Sequence, residues 1–93
     1  MLLETLKTNL LEAQKSQDEV QLRTLRVLLA EIKNKEIEFR PLNRQIEDAD
    51  VVSLIQKGIK SRGESVEMFT RGNRPDLVKK EEEEIAILKT YLS

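Results

Sequence analysis

The chain contains no cysteine and no histidine. Without cysteine there is no disulfide staple and no thiolate nucleophile, and without either residue there is no zinc finger. Without histidine there is no imidazole base and no Ser-His-Asp triad. Aromatic residues make up 3% of the chain and tryptophan is absent, so stacking on single-stranded bases is not expected. No apolar run approaches the roughly 18 residues that a membrane span needs. The amino terminus also lacks the basic-then-apolar signature of a signal peptide. These absences predict a cytoplasmic protein with no membrane partner. No Gly/Ser linker, internal repeat or alternating strand pattern interrupts the chain.

What is there is charge laid over aliphatic periodicity. Charged residues are 35% of the 93 residues, yet the net charge is only −1. The chain therefore has no global basic signature, and any nucleic-acid site must be a local patch. Ninety-three residues suffice for one domain, 1–93, with a single core.

The organising stretch runs from Asp50 to Leu77. Val51, Ile55, Ile59, Val66 and Phe69 repeat at helical steps along one face. Gly72 offers a left-handed C-cap, and Pro75 suits a first helical position. Around this stretch four amphipathic helices are predicted, over residues 2–16, 18–40, 47–71 and 75–92. The first carries Leu3, Leu6, Leu10 and Ala13, and the second Leu22, Leu25, Leu29 and Ile32, flanked by Leu28 and Phe39. The fourth turns Leu77, Val78, Ile85, Leu88 and Leu92 inward. Ser16 and Glu19 have capping-box spacing, with Asp18 a competing N-cap. Pro41 ends the second helix and pushes Arg40 out of the helical region, leaving 41–46 as the longest loop. Gly58 and Gly63 either weaken the third helix or make room for a neighbour. The fold class is all-α, a four-helix bundle.

Three charges fall on apolar stripes: Glu36 in the second helix, Arg62 in the third and Glu81 in the fourth. Isolated buried charges are costly, so Arg62 is expected to bridge Glu36 and Glu81. Two readings attach to this trio. One is a paired-carboxylate site for acid–base or metal chemistry, the other a structural network setting helix register. The network is favoured, because an arginine between carboxylates holds both ionised. The acidic run Glu81–Glu84 is spread around a helix and reads as a solvated face, so no metal and no cofactor are expected.

Three segments carry a family resemblance: RVLLAEIKNKEIE from Arg26, IQKGIKSRGESVEMF from Ile55, and GNRPDLVKKEEEEIAILKTYL from Gly72. Together they resemble the amino-terminal part of the GatB/YqeY domain. The resemblance implies an all-helical fold, with a four-helix amino-terminal subdomain followed by a three-helix one. On that pattern the second subdomain is missing here, since the chain stops at Ser93. The domain occurs free-standing and as the tail of the B subunit of the glutamyl/aspartyl-tRNA amidotransferase, a carbon–nitrogen ligase with glutamine as amido donor. There it helps hold tRNA while other domains do the chemistry. The implied role is thus a non-catalytic tRNA-binding accessory module, with tRNA and amidotransferase or tRNA synthetase components as partners.

Residues 57–74 carry Lys57, Lys60, Arg62, Arg71 and Arg74 against Glu64 and Glu67, a local balance of +3. Lys57, Lys60 and Arg71 project together opposite the core stripe and are candidate phosphate contacts, with Arg74 nearby. An ordinary solvated face, with a Lys60–Glu64 pair, is the competing reading. Lys33 and Lys35 form a weaker patch on the second helix. Val20, Val27, Val52, Ile87 and Tyr91 lie off the main stripes. Of these, Ile87 and Tyr91 are the preferred docking points if the chain is instead a protein–protein interaction module with no nucleic-acid role.

Overall fold

A computed structural model describes residues 1–92. The element order is α1 (Leu2–Ser16), α2 (Glu19–Phe39), a 3-10 turn (Arg40–Leu42), α3 (Asp48–Arg71) and α4 (Pro75–Lys89). The architecture is the expected all-α four-helix bundle, made of two helical hairpins, α1–α2 and α3–α4. The core is aliphatic: Leu6 of α1, Leu25, Leu28 and Ile32 of α2, Val51 and Ile55 of α3, and Leu88 of α4. The amino-terminal ends of α1 and α3 meet, where the Leu2 N–H donates to Asp48 Oδ1 at 3.0 Å.

The bundle is not evenly filled. On α3 the only fully buried side chains are Val51 and Ile55, both in its first third. On α4 they are Glu84 and Leu88, both in its second half. Beyond these points Val66, Phe69, Leu77 and Val78 are only half-buried. α3 is 24 residues long, about 36 Å of helix, and runs past the end of α2. The outer halves of α3 and α4 therefore form an arm. The radius of gyration is accordingly 14.3 Å, against about 12 Å for a compact globule of this length.

Each of the three corners is closed in the same way, and none by glycine. Gln17, Asn43 and Asn73 adopt positive φ, at 58°, 54° and 56°. In each case the next residue's N–H reaches back five positions: Asp18 to Ala13, Arg44 to Phe39, and Arg74 to Phe69, at 3.0, 3.1 and 2.9 Å. These are Schellman-type closures that satisfy helix-terminal carbonyls. The expected left-handed cap at Gly72 is therefore shifted by one residue. Gly72 has φ −81°, and Asn73 takes the left-handed position, which asparagine tolerates better than most side chains.

Other expectations are revised in detail. Asp18 is the N-cap of α2, its carboxylate accepting from the Gln21 N–H at 3.1 Å. Ser16 does not serve there, because its hydroxyl donates backward to the Ala13 carbonyl. Arg40 stays in the right-handed helical region despite preceding proline. Its N–H is shared between the Glu36 and Ile37 carbonyls, taking up an acceptor that Pro41, lacking an N–H, leaves open. The 3-10 turn then shortens the expected 41–46 loop. α4 ends at Lys89 and not at Leu92, because the N–H groups of Thr90, Tyr91 and Leu92 bond three residues back. That tighter winding ends regular α-helix. The 43–47 connection is fixed by Arg44, whose guanidinium lies 4.2 Å from the Phe39 ring centroid and pairs with Asp50 at 2.9 Å.

The two interior glycines of α3 differ. A Cβ at Gly58 would sit 3.3 Å from Arg62 Nη1 and 3.4 Å from Leu88 Cδ1. Here an added methyl would touch Leu88 of α4 and press the flexible end of Arg62 aside by a few tenths of an ångström. At Gly63 nothing lies within 4 Å. Gly63→Ala should therefore stabilise the fold by about 1 kcal/mol, the usual difference in helix propensity. In thermal unfolding this corresponds to a rise of about 4–8 °C for a domain of this size. Gly58→Ala should give less than half of that gain.

Candidate nucleic-acid interface and the ion network beneath it

At the junction between core and arm, three helices meet around the carboxylate of Glu84. This residue is only 5% exposed. Its Oε2 accepts from Arg23 Nε of α2 at 2.9 Å, and its Oε1 lies 3.5 Å from Arg62 Nε of α3. Arg62 also approaches Glu81 Oε2 at 3.9 Å, and its Nη1 is 3.5 Å from the Gly58 carbonyl. The Nε of Arg62 is buried yet makes no hydrogen bond. The arginine is therefore held by charge between two carboxylates more than by aligned donors.

Arg62 and Glu81 thus belong to a network, as expected, but Glu36 does not. Among the described residues Glu36 forms no ion pair; it lines a shallow groove with Leu3, Arg40, Arg44, Gln45 and Ile46. Glu36 lies on the side of α2 that meets Leu3 of α1 and the 43–46 connection, whereas Arg23, the α2 residue that joins the network, leaves the helix about 140° away from it. The network sits at the level of Arg23, and 13 residues of helix put Glu36 about 20 Å further along. Glu84, one turn beyond Glu81 on the same face, takes the place assigned to Glu36. Its i,i+3 spacing from Glu81 was the available signal, together with Arg23 set among the buried residues Leu22, Thr24 and Leu25 of α2. The acidic run is accordingly not uniformly solvated: Glu84 is buried and Glu81 half-buried, whereas Glu82 and Glu83 are exposed.

Above the network lies an open groove of about 310 Å³ between α2 and α3. Lys35 and Asn34 line it from α2, and Lys57, Ser61 and Arg62 from α3. Glu31 and Glu38 border it on the α2 side. Lys35 is half-buried, 4.0 Å from Glu38 and 5.7 Å from the Phe39 ring centroid. The groove brings one residue from each of the two basic patches, Lys35 and Lys57, to a single place.

The other candidates lie elsewhere. Lys60 and Lys33 are exposed and outside this groove, and Lys60 makes no ion pair with Glu64 among the described residues. Arg71 is exposed at the far end of α3, 14 residues or about 21 Å from Lys57. The shared face that projection gives to Lys57, Lys60 and Arg71 is therefore a stripe along the helix and not a cluster. Arg74, at the tip of the arm, is paired with Asp76 at 3.2 Å. The hydrogen bond from Arg74 holds the Asp76 carboxyl below its ordinary range.

Tyr91 is half-buried. It packs against the core, and its hydroxyl accepts from Asn9 Nδ2 at 2.7 Å. Ile87 is half-buried. Among the described residues no three carboxylates converge on a point that could hold a metal ion.

The model of one protein family, described as Yqey-like protein, matches residues 3–93. The chain belongs to the YqeY-like family. Among curated relatives, a protein of Lachancea thermotolerans named "Altered inheritance of mitochondria protein 41, mitochondrial" is 40% identical over 87 residues, covering 94% of this chain and 46% of the relative. A protein of the same name in Pyrenophora tritici-repentis is 36% identical over 91 residues, covering 98% and 49%. An uncharacterised protein of Schizosaccharomyces pombe is 33% identical over 87 residues, covering 94% and 68%. The chain thus spans about half the length of the mitochondrial relatives it matches. The cytoplasmic expectation is overturned by these names, which describe mitochondrial proteins. A missing export signal had carried that expectation, and it does not distinguish the two compartments.

The network gives a direct contrast. Arg62→Met leaves Glu84 with half of its charge compensation and should lower unfolding stability by about 2 kcal/mol. Glu36→Gln should change it by less than about 0.5 kcal/mol, as for a surface substitution. Urea unfolding of the two variants beside the parent chain measures both.

Proposed function

We propose that this chain is an RNA-binding accessory module that grips the phosphate backbone of tRNA through the α2–α3 groove, with no chemistry of its own. The observation that carries the reading is the meeting of Lys35 and Lys57 in one groove, beside the amide of Asn34 and the hydroxyl of Ser61. Cations backed by neutral hydrogen-bonding groups suit phosphate and sugar contacts. The network below serves as a rigid floor, because Arg62 is held by two carboxylates and does not compete for position. Membership of the family agrees with this reading, since the resemblance implies a role in holding tRNA for an amidotransferase. From the names of the relatives, we take the setting of that role to be mitochondrial.

A second reading is favoured by one feature of the arm. Gly63 and Val66 of α3 and Ile85 and Ala86 of α4 line an open apolar groove bordered by Glu67, Glu82 and Lys89. An interaction module would use this surface to dock another protein, with no nucleic-acid role. Salt separates the two, because phosphate contacts weaken steeply as salt rises and apolar contacts do not.

Fluorescence anisotropy with labelled tRNA at about 50 and 200 mM salt tests the first reading. Binding should fall at least about tenfold across that range. The double variant Lys35→Glu/Lys57→Glu should lose binding at the lower salt, while Arg71→Glu at the arm tip should lose much less. Binding that is insensitive to salt, or unchanged in the double variant, would remove the groove as the site.

A further inference from the structure

α2 has two faces with different purposes. Leu25, Ile32 and Phe39, spaced at sevens, point into the bundle and are 0%, 1% and 7% exposed. The opposite face carries Val27, Ala30, Asn34 and Ile37 at steps of three, four and three. All four are exposed, Val27 at 44% and Ile37 at 47%. Nothing in the fold requires apolar residues there. The spacing is that of the a and d positions of a heptad, with Val27 and Asn34 at a and Ala30 and Ile37 at d. The bundle-facing Leu25, Ile32 and Phe39 are then f positions, on the far side of the helix. Arg23, which would extend the stripe by one step, is instead turned toward Glu84. Pro41 closes the other end.

The flanks of this stripe are segregated by sign. Arg26 and Lys33, the g positions, lie on one side; Glu31 and Glu38, the e positions, lie on the other. Among the described residues Arg26, Glu31 and Lys33 take part in no ion pair, and Glu38 reaches only Lys35, at 4.0 Å. Glu31 and Glu38 lie on the side of the stripe that borders the α2–α3 groove, and Arg26 and Lys33 on the side away from it.

We propose that this face docks α2 of a second copy of the chain, side by side and parallel, as a short two-stranded coiled coil. Charge selects both the occupant and its direction. In a parallel pair each g residue faces the e residue five positions further on in the other copy. Arg26 then meets Glu31 and Lys33 meets Glu38, twice each by symmetry, giving four attractive pairs. In an antiparallel pair g faces g and e faces e, so every flank contact repels. Asn34 at an a position meets its own copy, an amide pairing that favours two strands and fixes register at some expense of stability. The contact covers two heptads, about 21 Å of helix. It is smaller than a standard interface, so association is weak and follows concentration. Asn34 also lines the α2–α3 groove, and Glu31 and Glu38 border it, so the stripe and the groove share residues; self-association is tested without RNA.

Sedimentation equilibrium from about 10 µM to about 1 mM, the range of weak association, should show a mass rising from 10.8 kDa toward twice that value. The chain has no cysteine of its own, so Val27→Cys and Asn34→Cys can be made singly. Under mild oxidation both should form disulfide-linked dimers, because like a positions face each other within reach of an S–S bond. Ser53→Cys, exposed on α3, should stay monomeric. Glu38→Lys should weaken association at least tenfold, and the swap Lys33→Glu/Glu38→Lys should restore it, with unchanged helical circular dichroism in each variant. A mass that remains 10.8 kDa at the highest concentration would overturn the proposal. Cross-linking at only one of positions 27 and 34, or failure of the charge swap to restore association, would overturn the parallel register.

Discussion

The carboxylate of Glu84 is the point on which three helices depend. It is the one acidic side chain that is fully buried among the described residues, and burial of an uncompensated carboxylate is strongly unfavourable. Arg23 of α2 and Arg62 of α3 supply the compensation from opposite sides. The axial positions of α2, α3 and α4 are tied together as a result, since sliding any one helix by a turn would separate a pair by about 5 Å. An aliphatic core of leucine, isoleucine and valine is forgiving about register. The network removes that freedom. Gly58 belongs to the same constraint, because its missing side chain lets Leu88 and the Arg62 guanidinium approach the α3 backbone.

Past that point α3 and α4 continue together without cover from α1 or α2. The outer hairpin is held by half-buried apolar contacts and by the corner at Asn73, where Arg74 reaches back to the Phe69 carbonyl. The corners of this protein use glutamine and asparagine at positive φ where glycine would be less strained. The residue after each corner also makes a side-chain contact of its own. Asp18 caps α2, Arg44 stacks on Phe39 and holds Asp50, and Arg74 pairs with Asp76. Side chains adjoining the corners thus anchor the beginnings of the following helices, and this connects short-range turn geometry to the packing of the hairpins.

The two proposals assign different parts of α2 to different partners. One side of that helix borders the groove with Lys35 and Lys57, its back fills the core, and its outer stripe carries apolar residues between segregated charges. If both proposals hold, the groove and the stripe, which meet at Asn34, would let two copies present their grooves together. Weak pairing of that kind raises the effective concentration of a second contact on a long ligand. The arm groove around Gly63 and Ala86 remains a separate apolar surface, at the other end of the molecule from the α1–α3 junction.

Much of this was legible in the residue order. Four helices followed from the three- and four-residue spacing of Leu, Ile and Val, because that period alone decides which side of a helix faces water. The presence of misplaced charges in α3 and α4 was legible for the same reason, as was the family, from segments spread over the chain. Tertiary structure decided which charges meet. Angular position around a helix can be read from sequence, but which neighbour packs on each side, and at what level, cannot: Glu36 faces Leu3 and the 43–46 connection, and Glu84 takes its place beside Arg62 where α4 crosses at Gly58. The same limit hid the meeting of Lys35 with Lys57 across two helices. The distance between Lys57 and Arg71, by contrast, was legible, since 14 residues of one helix span about 21 Å. What lies along one helix was set by local periodicity; what lies between helices was set by where the buried carboxylate and its two arginines allowed them to pack.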